Sequence, residues 1–367
     1  MLSTLQKCLA LLSLALLTML AGSAVAQETP STAPAKPPLK KKSAAKTTKA
    51  KSFEYNEDFT VLPISKNSMK TDMAIVGEVD DKPGLPYIRE RVHLEWRPGD
   101  PIDVYILKPR NLQNPPVILY LYSYPQDTDR FKTDHWGAYA TDNGFAAVGF
   151  VSALTGHRLE HRAPVEDFFN QLPEALGASV HDVQMLLNYL GTRKDLDLGR
   201  VGMFGQGSGG SIALLASAVD DRIKAVDVLT PWGDWPTFIR ESTFIPTEDK
   251  LKMNTPEFLK AVASLDPVQW IPKVKAQSLR IQNVRKDGHM PDAAQENIEA
   301  AAPEIAVINQ YGDAAALVPA AMNGRLLGWL KEQLKPSTTE RASVEKSQRI
   351  HFFPGKLPAA PAIAEPH

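Results

Sequence analysis

Polar and apolar residues alternate in two neighbouring segments, residues 92–96 and 102–108, so that one face of each segment is apolar. A Pro-Gly-Asp sequence at residues 98–100 lies between them, which predicts a hairpin of two antiparallel strands. Residues 117–122 and 145–151 are instead almost continuously apolar, a pattern that is typical of strands buried on both faces.

Helical periodicity begins further along the chain, where Val180, Val183, Leu187 and Leu190 fall on one face of a helix. The pattern predicts further strands at residues 201–204, 223–229, 279–284 and 305–309, and further helices at residues 212–218 and 320–334. Strands that alternate with helices predict an α/β fold, in which helices cover both faces of a mostly parallel central sheet. Tryptophan and phenylalanine residues between the strands at 223–229 and 279–284 predict a small helical insert there.

The first 26 residues have the pattern of a secretory signal peptide. Lys7 provides the positive start, residues 8–22 are an apolar run, and Ala24-Val25-Ala26 is a cleavage sequence. The apolar run is shorter than the roughly 20 residues that span a bilayer, which favours cleavage over a retained anchor. Cys8, the only cysteine, lies in this segment, so the mature chain can form no disulfide. We expect a periplasmic or secreted protein.

Residues 27–52 form a second region, rich in Pro, Ala, Ser, Thr and Lys. Seven lysines and one glutamate give it a charge of +6, and the whole chain has a net charge of −1. Setting aside that +6 and Lys7 leaves about −8 for the remainder. We predict a disordered linker that is either a solvated spacer or a contact to an anionic envelope polymer. The net charge of −1 argues against a dedicated nucleic-acid partner, because such binders normally have a strongly basic domain.

These boundaries leave residues 53–334 as one folded domain and residues 335–367 as a C-terminal tail. The tail is polar or rich in Pro and Ala, apart from one apolar patch at residues 350–353.

A glycine-rich turn, Gly205-Gln206-Gly207-Ser208-Gly209-Gly210, follows the predicted strand at residues 201–204. Together with His181-Asp182-Val183 and residues 197–202, this turn resembles the α/β-hydrolase superfamily. It is most similar to the branch that holds acetyl xylan esterases, dienelactone hydrolases and prolyl-oligopeptidase-type peptidases. The resemblance implies serine-hydrolase descent, an α/β-hydrolase fold, and a nucleophile elbow with the sequence G-x-S-x-G between a strand and a helix.

The two glycines that such an elbow requires correspond to Gly205 and Gly209, which places Gly207 at the position of the nucleophilic serine. Glycine tolerates the strained backbone of this turn but carries no hydroxyl group. Ser208 is the alternative nucleophile, although it would place the bulky Gln206 two residues before it. The competing interpretation of Ser208 is a residue of the first helical turn that caps backbone amides.

The resemblance also implies an acid and a histidine after the later strands. Asp287, after residues 279–284, matches the acid, and Asp234 is a second candidate whose competing role is to cap the helix that follows it. The turn at residues 310–314, where the family has its histidine, contains none. His289 is then the candidate base, and His351 would require the tail to fold back over the site.

The region of the oxyanion hole differs from the family as well. Family members often have His-Gly after the strand that matches residues 117–121, because glycine lets a backbone N–H face the developing oxyanion. Here Tyr122 and Ser123 occupy that region, followed by Tyr124. A tyrosine hydroxyl could replace the missing donor, or the tyrosines could serve packing alone.

The nucleophile, the histidine and the oxyanion region therefore all differ from the family pattern. This predicts an exported hydrolase-fold protein whose chemistry is lost or rebuilt. One alternative is an active carboxylester or peptide hydrolase that uses Ser208, Asp287 and His289. Another is an envelope-associated binding module.

Other chemistry has less support in the sequence. His157 and His161 have helical spacing, but the H-E-x-x-H order is missing and arginines are interspersed, so we predict no metal site. No Gly-Lys-Ser/Thr follows the glycine-rich turn, and we predict no cofactor. Trp232, Trp235 and Phe238 either line a ligand pocket or belong to the core.

Overall fold

The computed structural model describes residues 57–64, 74–97, 100–124, 130–154, 171–322 and 325–335. The predicted signal peptide, the lysine-rich linker and the apolar patch of the tail lie outside these residues. His157, His161, His351 and the Pro98-Gly99 turn lie outside them too. Within the described residues, no helix is both long and apolar enough to cross a membrane.

Nine strands form one sheet in the order β1-β2-β3-β5-β4-β6-β7-β8-β9. The strands are Ala74–Asp80 (β1), Tyr87–Leu94 (β2), Ile102–Pro109 (β3), Pro116–Leu121 (β4), Ala146–Phe150 (β5), Asp197–Gln206 (β6), Ile223–Leu229 (β7), Ser278–Val284 (β8) and Ala306–Tyr311 (β9). The first three strands are antiparallel to their neighbours, and β5, β4 and β6 to β9 are parallel. The predicted mostly parallel sheet is confirmed.

The predicted hairpin is β2 and β3, which pair antiparallel with Leu94 opposite Ile102. The hydrophobic pattern does not indicate β1, because this strand has a break in register between Ile75 and Glu78. Gly77 lies at the break, where a Cβ atom would overlap the Arg91 carbonyl. Only glycine permits this close approach of two strands.

Helices cover both faces of the sheet. They are Asp134–Thr141 (α1), Leu172–Leu190 (α2), Ser208–Val219 (α3), Trp235–Glu241 (α4), Thr247–Met253 (α5), Pro256–Ala263 (α6), Pro267–Trp270 (α7), Asp292–Ala301 (α8), Ala314–Met322 (α9) and Arg325–Gln333 (α10). One core lies between the sheet and α2, α3 and α8, and the other lies between the sheet and α1, α9 and α10. Alternate residues of β4 face the two cores, as the strand period of two requires.

The predicted helical insert between β7 and β8 is confirmed and consists of α4 to α7. The prediction of one helix at residues 320–334 is wrong, because this region contains the end of α9 and all of α10. The Asp313 side chain accepts a hydrogen bond from the Ala316 N–H at 2.9 Å, and α9 begins next to it at Ala314. The helix therefore begins six residues before the predicted position.

A buried charge cluster joins the first described segment, residues 57–64, to the domain. Arg97 is only 3% exposed and lies 2.5 Å from a carboxylate oxygen of Glu57 and 2.6 Å from one of Asp182. The ring nitrogens of His181 lie 2.5 Å from Glu57 Oε1 and 2.8 Å from the Val61 carbonyl oxygen. These contacts hold the segment against α2 and against the end of β2.

Candidate functional site

The candidate site lies at the carboxyl edge of the parallel strands, where ligands of open α/β sheets bind. β4 ends there at Leu121, β6 at Gln206, β7 at Leu229 and β8 at Val284. The ends of these strands, the loops that follow them and the start of α3 contain the predicted site residues of the described chain, so the sheet brings them to one end of the molecule.

The turn between β6 and α3 is so tight that neighbouring backbones touch. A Cβ atom on Gly205 would lie 2.4 Å from the Gly209 carbonyl oxygen, and one on Gly209 would lie 2.3 Å from the Leu121 carbonyl oxygen. Both distances are too short for a side chain, so these positions require glycine. They are the two glycines that the family motif requires.

Gly207 is the residue at the apex, directly before α3. Its backbone has φ +53° and ψ −120°, a conformation that residues with a side chain adopt only under strain. Its N–H donates to the Leu229 carbonyl, and its own carbonyl accepts from the Ser211 and Trp232 N–H groups. Packing and hydrogen bonds therefore maintain the elbow geometry although residue 207 has no side chain to present.

The Ser123 side chain fills the space above this apex. A Cβ atom on Gly207 would lie 2.3 Å from Ser123 Oγ and 2.7 Å from Ser123 Cβ. The Ser123 hydroxyl donates a long hydrogen bond of 3.3 Å to the Tyr124 carbonyl. Ser123 thus occupies the position that a nucleophilic side chain at residue 207 would need.

Ser208 is fully buried at the first position of α3. Its hydroxyl oxygen accepts a hydrogen bond from the Tyr124 N–H at 3.0 Å. Ser208 therefore binds a backbone amide, but this amide belongs to the loop after β4 and not to its own helix. Within the described residues, no hydrogen bond joins Ser208 to a histidine.

Tyr122 and Tyr124 have different surroundings. The Tyr122 hydroxyl accepts a hydrogen bond from Trp136 Nε1 at 2.6 Å, and burial raises the pKa of this hydroxyl. Tyr122 is therefore engaged in the core that α1 covers. Tyr124 is half-buried, and its backbone N–H, which lies beside the elbow, is occupied by Ser208.

Asp287 and His289 share the loop after β8. Burial raises the pKa of the Asp287 carboxyl, although the charge of His289 and the N–H of Met290 oppose this rise. The Met290 N–H donates to Asp287 Oδ2 at 3.2 Å, and the His289 carbonyl accepts from Ser242 Oγ. The loop is therefore fixed against the segment that joins α4 to α5.

Aromatic rings separate this loop from the elbow. The Phe244 ring centroid lies 5.4 Å from that of His289, 5.3 Å from that of Trp232 and 6.3 Å from that of Tyr124. Trp232 also packs on Phe238 at 5.1 Å and is only 4% exposed. Phe244 and His289 are half-buried, so they form the outer wall of the site.

The structure corrects the expected capping role of Asp234. Asp234 precedes α4 in a left-handed conformation, but its side chain makes no capping hydrogen bond and instead accepts from Asn297 Nδ2 at 2.6 Å. Asp266 caps this end, because its carboxylate accepts from the N–H groups of Asp234 at 2.9 Å and Trp235 at 3.0 Å. Asp266 comes from a distant loop, which sequence spacing could not reveal.

The site also contains a residue that the motif does not indicate. Phe244 lies in the helical insert, where the family pattern specifies no position. The only available signal is its place near Trp232 and Trp235 in an aromatic stretch.

Within the described part of the chain, no group of three His, Cys, Asp or Glu side chains could hold a metal ion.

Comparisons with known proteins agree with this architecture. No family model matches the chain. The Bacillus subtilis (strain 168) protein named "Putative hydrolase YtaP" is 26% identical over 152 residues, which is 37% of this chain. The match spans half of that relative's length.

Solved structures match over more of the chain. The acetyl xylan esterase from Paenibacillus sp. R4 is 17% identical with a TM-score of 0.56, over 72% of this chain and 90% of that one. Acetyl xylan esterase 1 from a Thermoanaerobacterium species is 15% identical with a TM-score of 0.55, over 71% and 88%. The Pyrococcus horikoshii acylaminoacyl peptidase is 17% identical with a TM-score of 0.52, over 66% and 40%. The chain is an α/β-hydrolase-fold protein.

Proposed function

We propose that this protein is an exported member of the serine-hydrolase lineage that binds a ligand at its elbow without cleaving it by the serine mechanism. The observation that carries the proposal is the arrangement at the apex. Gly207 has no hydroxyl, and Ser123 fills the space in which one would lie. The Ser208 hydroxyl is buried and bound to the Tyr124 amide.

The remaining groups support binding better than hydrolysis. A serine nucleophile needs a histidine within hydrogen-bond distance, and a second group that orients that histidine. His289 packs on Phe244, and this ring also contacts Trp232 and Tyr124 beside the elbow. The Tyr124 N–H, which could otherwise stabilise an oxyanion, already donates to Ser208.

Hydrolysis assays test this proposal. Purified residues 27–367 would be incubated with 4-nitrophenyl acetate, 4-nitrophenyl butyrate and an aminoacyl 4-nitroanilide. We expect rates within about twofold of the uncatalysed reaction, since none of the usual terms of acyl-transfer catalysis is assembled. Turnover that disappears in Ser208→Ala would overturn the proposal and favour the hydrolase that uses Ser208, Asp287 and His289.

A second candidate function is a hydrolase with a relocated nucleophile. Ser123 favours it, because its oxygen lies 2.3 Å from the position of a Cβ at residue 207. Turnover that disappears in Ser123→Ala but persists in Ser208→Ala would identify this case. The two serine variants therefore separate both hydrolase hypotheses from the binding hypothesis.

The role of the lysine-rich linker is a separate part of the proposal. We favour a solvated spacer, because residues 27–52 contain few groups besides lysine that could specify a partner. Pull-down on an immobilised anionic polymer, such as heparin, would compare residues 27–367 with residues 53–367. Similar capture by the two forms is expected at physiological salt, and capture that needs the linker would instead support an envelope-binding module.

A further inference from the structure

Trp232 has a hydrogen-bond donor that the fold does not use. The residue is 96% buried, since only 4% of its surface is exposed, and its Nε1 lies 3.3 Å from the position of a Cβ at Gly207. Its backbone N–H donates to the Gly207 carbonyl, and its ring packs between Phe238 and Phe244. Within the described residues, no acceptor bonds to Nε1. Nε1 is not one of the enclosed side-chain atoms without a partner, so this N–H is open to solvent beside the elbow and available to a ligand.

The four other tryptophans with a described indole bond show the contrast. They are Trp96, which donates to Asp182, Trp136, which donates to the Tyr122 hydroxyl, Trp235, which donates to the Leu265 carbonyl, and Trp270, which donates to the Ser264 carbonyl. The free donor of Trp232 points to the elbow, where a ligand would bind.

The positive end of a helix and a second hydrogen-bond donor also lie beside Gly207. α3 begins directly after Gly207 and has no side-chain cap, so its first N–H groups lack intrahelical partners. The helix dipole makes this end positive, and helix N-termini of this kind bind anions. Ser123 Oγ lies within 2.3 Å of the same Cβ position, and its single described bond is the long one to Tyr124.

We propose that the region beside Gly207, at the start of α3, binds the carboxylate of a small ligand. Trp232 Nε1 and the Ser123 hydroxyl are the hydrogen-bond donors. The inference rests on the proposed non-hydrolytic function and specifies the ligand class. The described contacts of Trp232 and Ser123 include no lysine or arginine, so a singly charged carboxylate suits the site better than a phosphate dianion. The rings of Phe244 and Tyr124 next to the donors suit an apolar ligand body.

Calorimetric titration with three probes tests this inference. The probes are sodium 4-phenylbutyrate, its uncharged amide and its methyl ester. For residues 27–367, we expect the carboxylate to bind at least about tenfold more tightly than the amide, because hydrogen bonds to a charged group are the stronger ones. Trp232→Phe keeps the ring but removes the N–H, and should weaken carboxylate binding by about tenfold or more.

Trp270→Phe is the matched control. Its indole binds the Ser264 carbonyl away from the elbow, so carboxylate affinity should stay within about twofold. Near-ultraviolet circular dichroism would establish that Trp232→Phe is folded. Ser123→Ala is a second test that does not alter the aromatic packing, and it should also weaken carboxylate binding.

The outcomes separate this inference from the function on which it rests. Equal affinity for the amide and the carboxylate, or no effect of both Trp232→Phe and Ser123→Ala, would overturn the carboxylate site but leave non-hydrolytic binding intact. No binding of the carboxylate would overturn the carboxylate site as well. Cleavage of the methyl ester would overturn the proposed function itself.

Discussion

The backbone at Gly207 has the conformation of a nucleophile elbow, which is strained for residues with a side chain. Gly207 has no side chain that this conformation could direct into the site. Glycine adopts φ +53° at little cost, and the hydrogen bonds to Leu229, Ser211 and Trp232 hold the turn. Glycine at this position therefore avoids the strain that a serine would require and carries no hydroxyl. Ser123 fills the adjacent space, which makes a serine at residue 207 unfavourable.

Gly207→Ser alone should destabilise the protein. The new Cβ would collide with Ser123 and would impose a positive φ on a residue with a side chain, at a combined cost of about 2–4 kcal/mol. The free energy of unfolding from urea denaturation measures this cost.

Gly207→Ser combined with Ser123→Gly removes the steric part. The double variant should therefore recover about 1–3 kcal/mol relative to Gly207→Ser. Additive effects of the two substitutions in a double-mutant cycle would contradict the contact between these positions.

Asp287→Asn tests the surroundings of the candidate acid. Burial raises the pKa of Asp287, so its protonated form is favoured by folding, and its stabilising effect is lost as pH rises through that pKa. Asparagine resembles the protonated form and can still accept from the Met290 N–H. We therefore expect Asp287→Asn to become more stable relative to wild type as pH rises from acid to neutral.

Urea denaturation at several pH values measures this difference. Asp195→Asn is the contrasting control, because Arg193 and Lys108 lower the pKa of Asp195. The sign is then reversed, and Asp195→Asn should lose stability relative to wild type as pH rises. The same trend in both variants would argue against the environment described for Asp287.

The positions of the elbow glycines could be predicted from sequence because each has one steric reason. The spacing of Gly205, Gly207 and Gly209 corresponds to a motif in which two glycines avoid backbone collisions. The partner of the Ser208 hydroxyl could not be predicted, because it is the Tyr124 N–H, which belongs to the loop after a different strand. The position of Phe244 at the site could not be predicted either, because it depends on how the helical insert packs.

The buried charge cluster around Arg97 connects residues 57–64 to α2 and to the end of β2. Arg97→Met would leave the carboxylates of Glu57 and Asp182 buried without their cation, and the loss of one partner of such a pair costs about 3–5 kcal/mol. Urea denaturation should show this loss.

Arg91→Met is the matched control for this cluster. Arg91 pairs with Glu78 and Asp103, but its side chain is 42% exposed, so we expect a loss below about 1 kcal/mol. Equal losses in the two variants would show that the Arg97 cluster does not hold residues 57–64 to the domain.

Element predictions succeeded where one periodicity extends over a whole segment. β7 was predicted to the residue, because five of its seven residues are apolar and Ile223 and Leu229 bound this stretch. β1 is interrupted by Gly77, and α9 begins at the Asp313 cap before any apolar periodicity is evident. The core strand predicted at residues 305–309 has the reverse problem, since Ile305, Val307 and Ile308 are at least 40% exposed.

The chain as a whole combines an α/β-hydrolase-fold domain with the terminal segments predicted from sequence. If residues 1–26 direct export, the mature protein should begin at Gln27. Expression of the full chain in a bacterium, followed by fractionation and mass spectrometry of the N-terminal peptide, tests this prediction. Ala26→Asp should block cleavage, and an unprocessed Met1 in the soluble fraction of the wild type would contradict it.

The account depends most on the elbow presenting backbone in place of a reactive oxygen. Reaction of residues 27–367 with a fluorophosphonate, followed by intact-mass measurement, tests this directly, because the probe forms a covalent adduct with an activated serine. We predict an unchanged mass after prolonged incubation. One stoichiometric adduct that Ser208→Ala or Ser123→Ala abolishes would contradict the account.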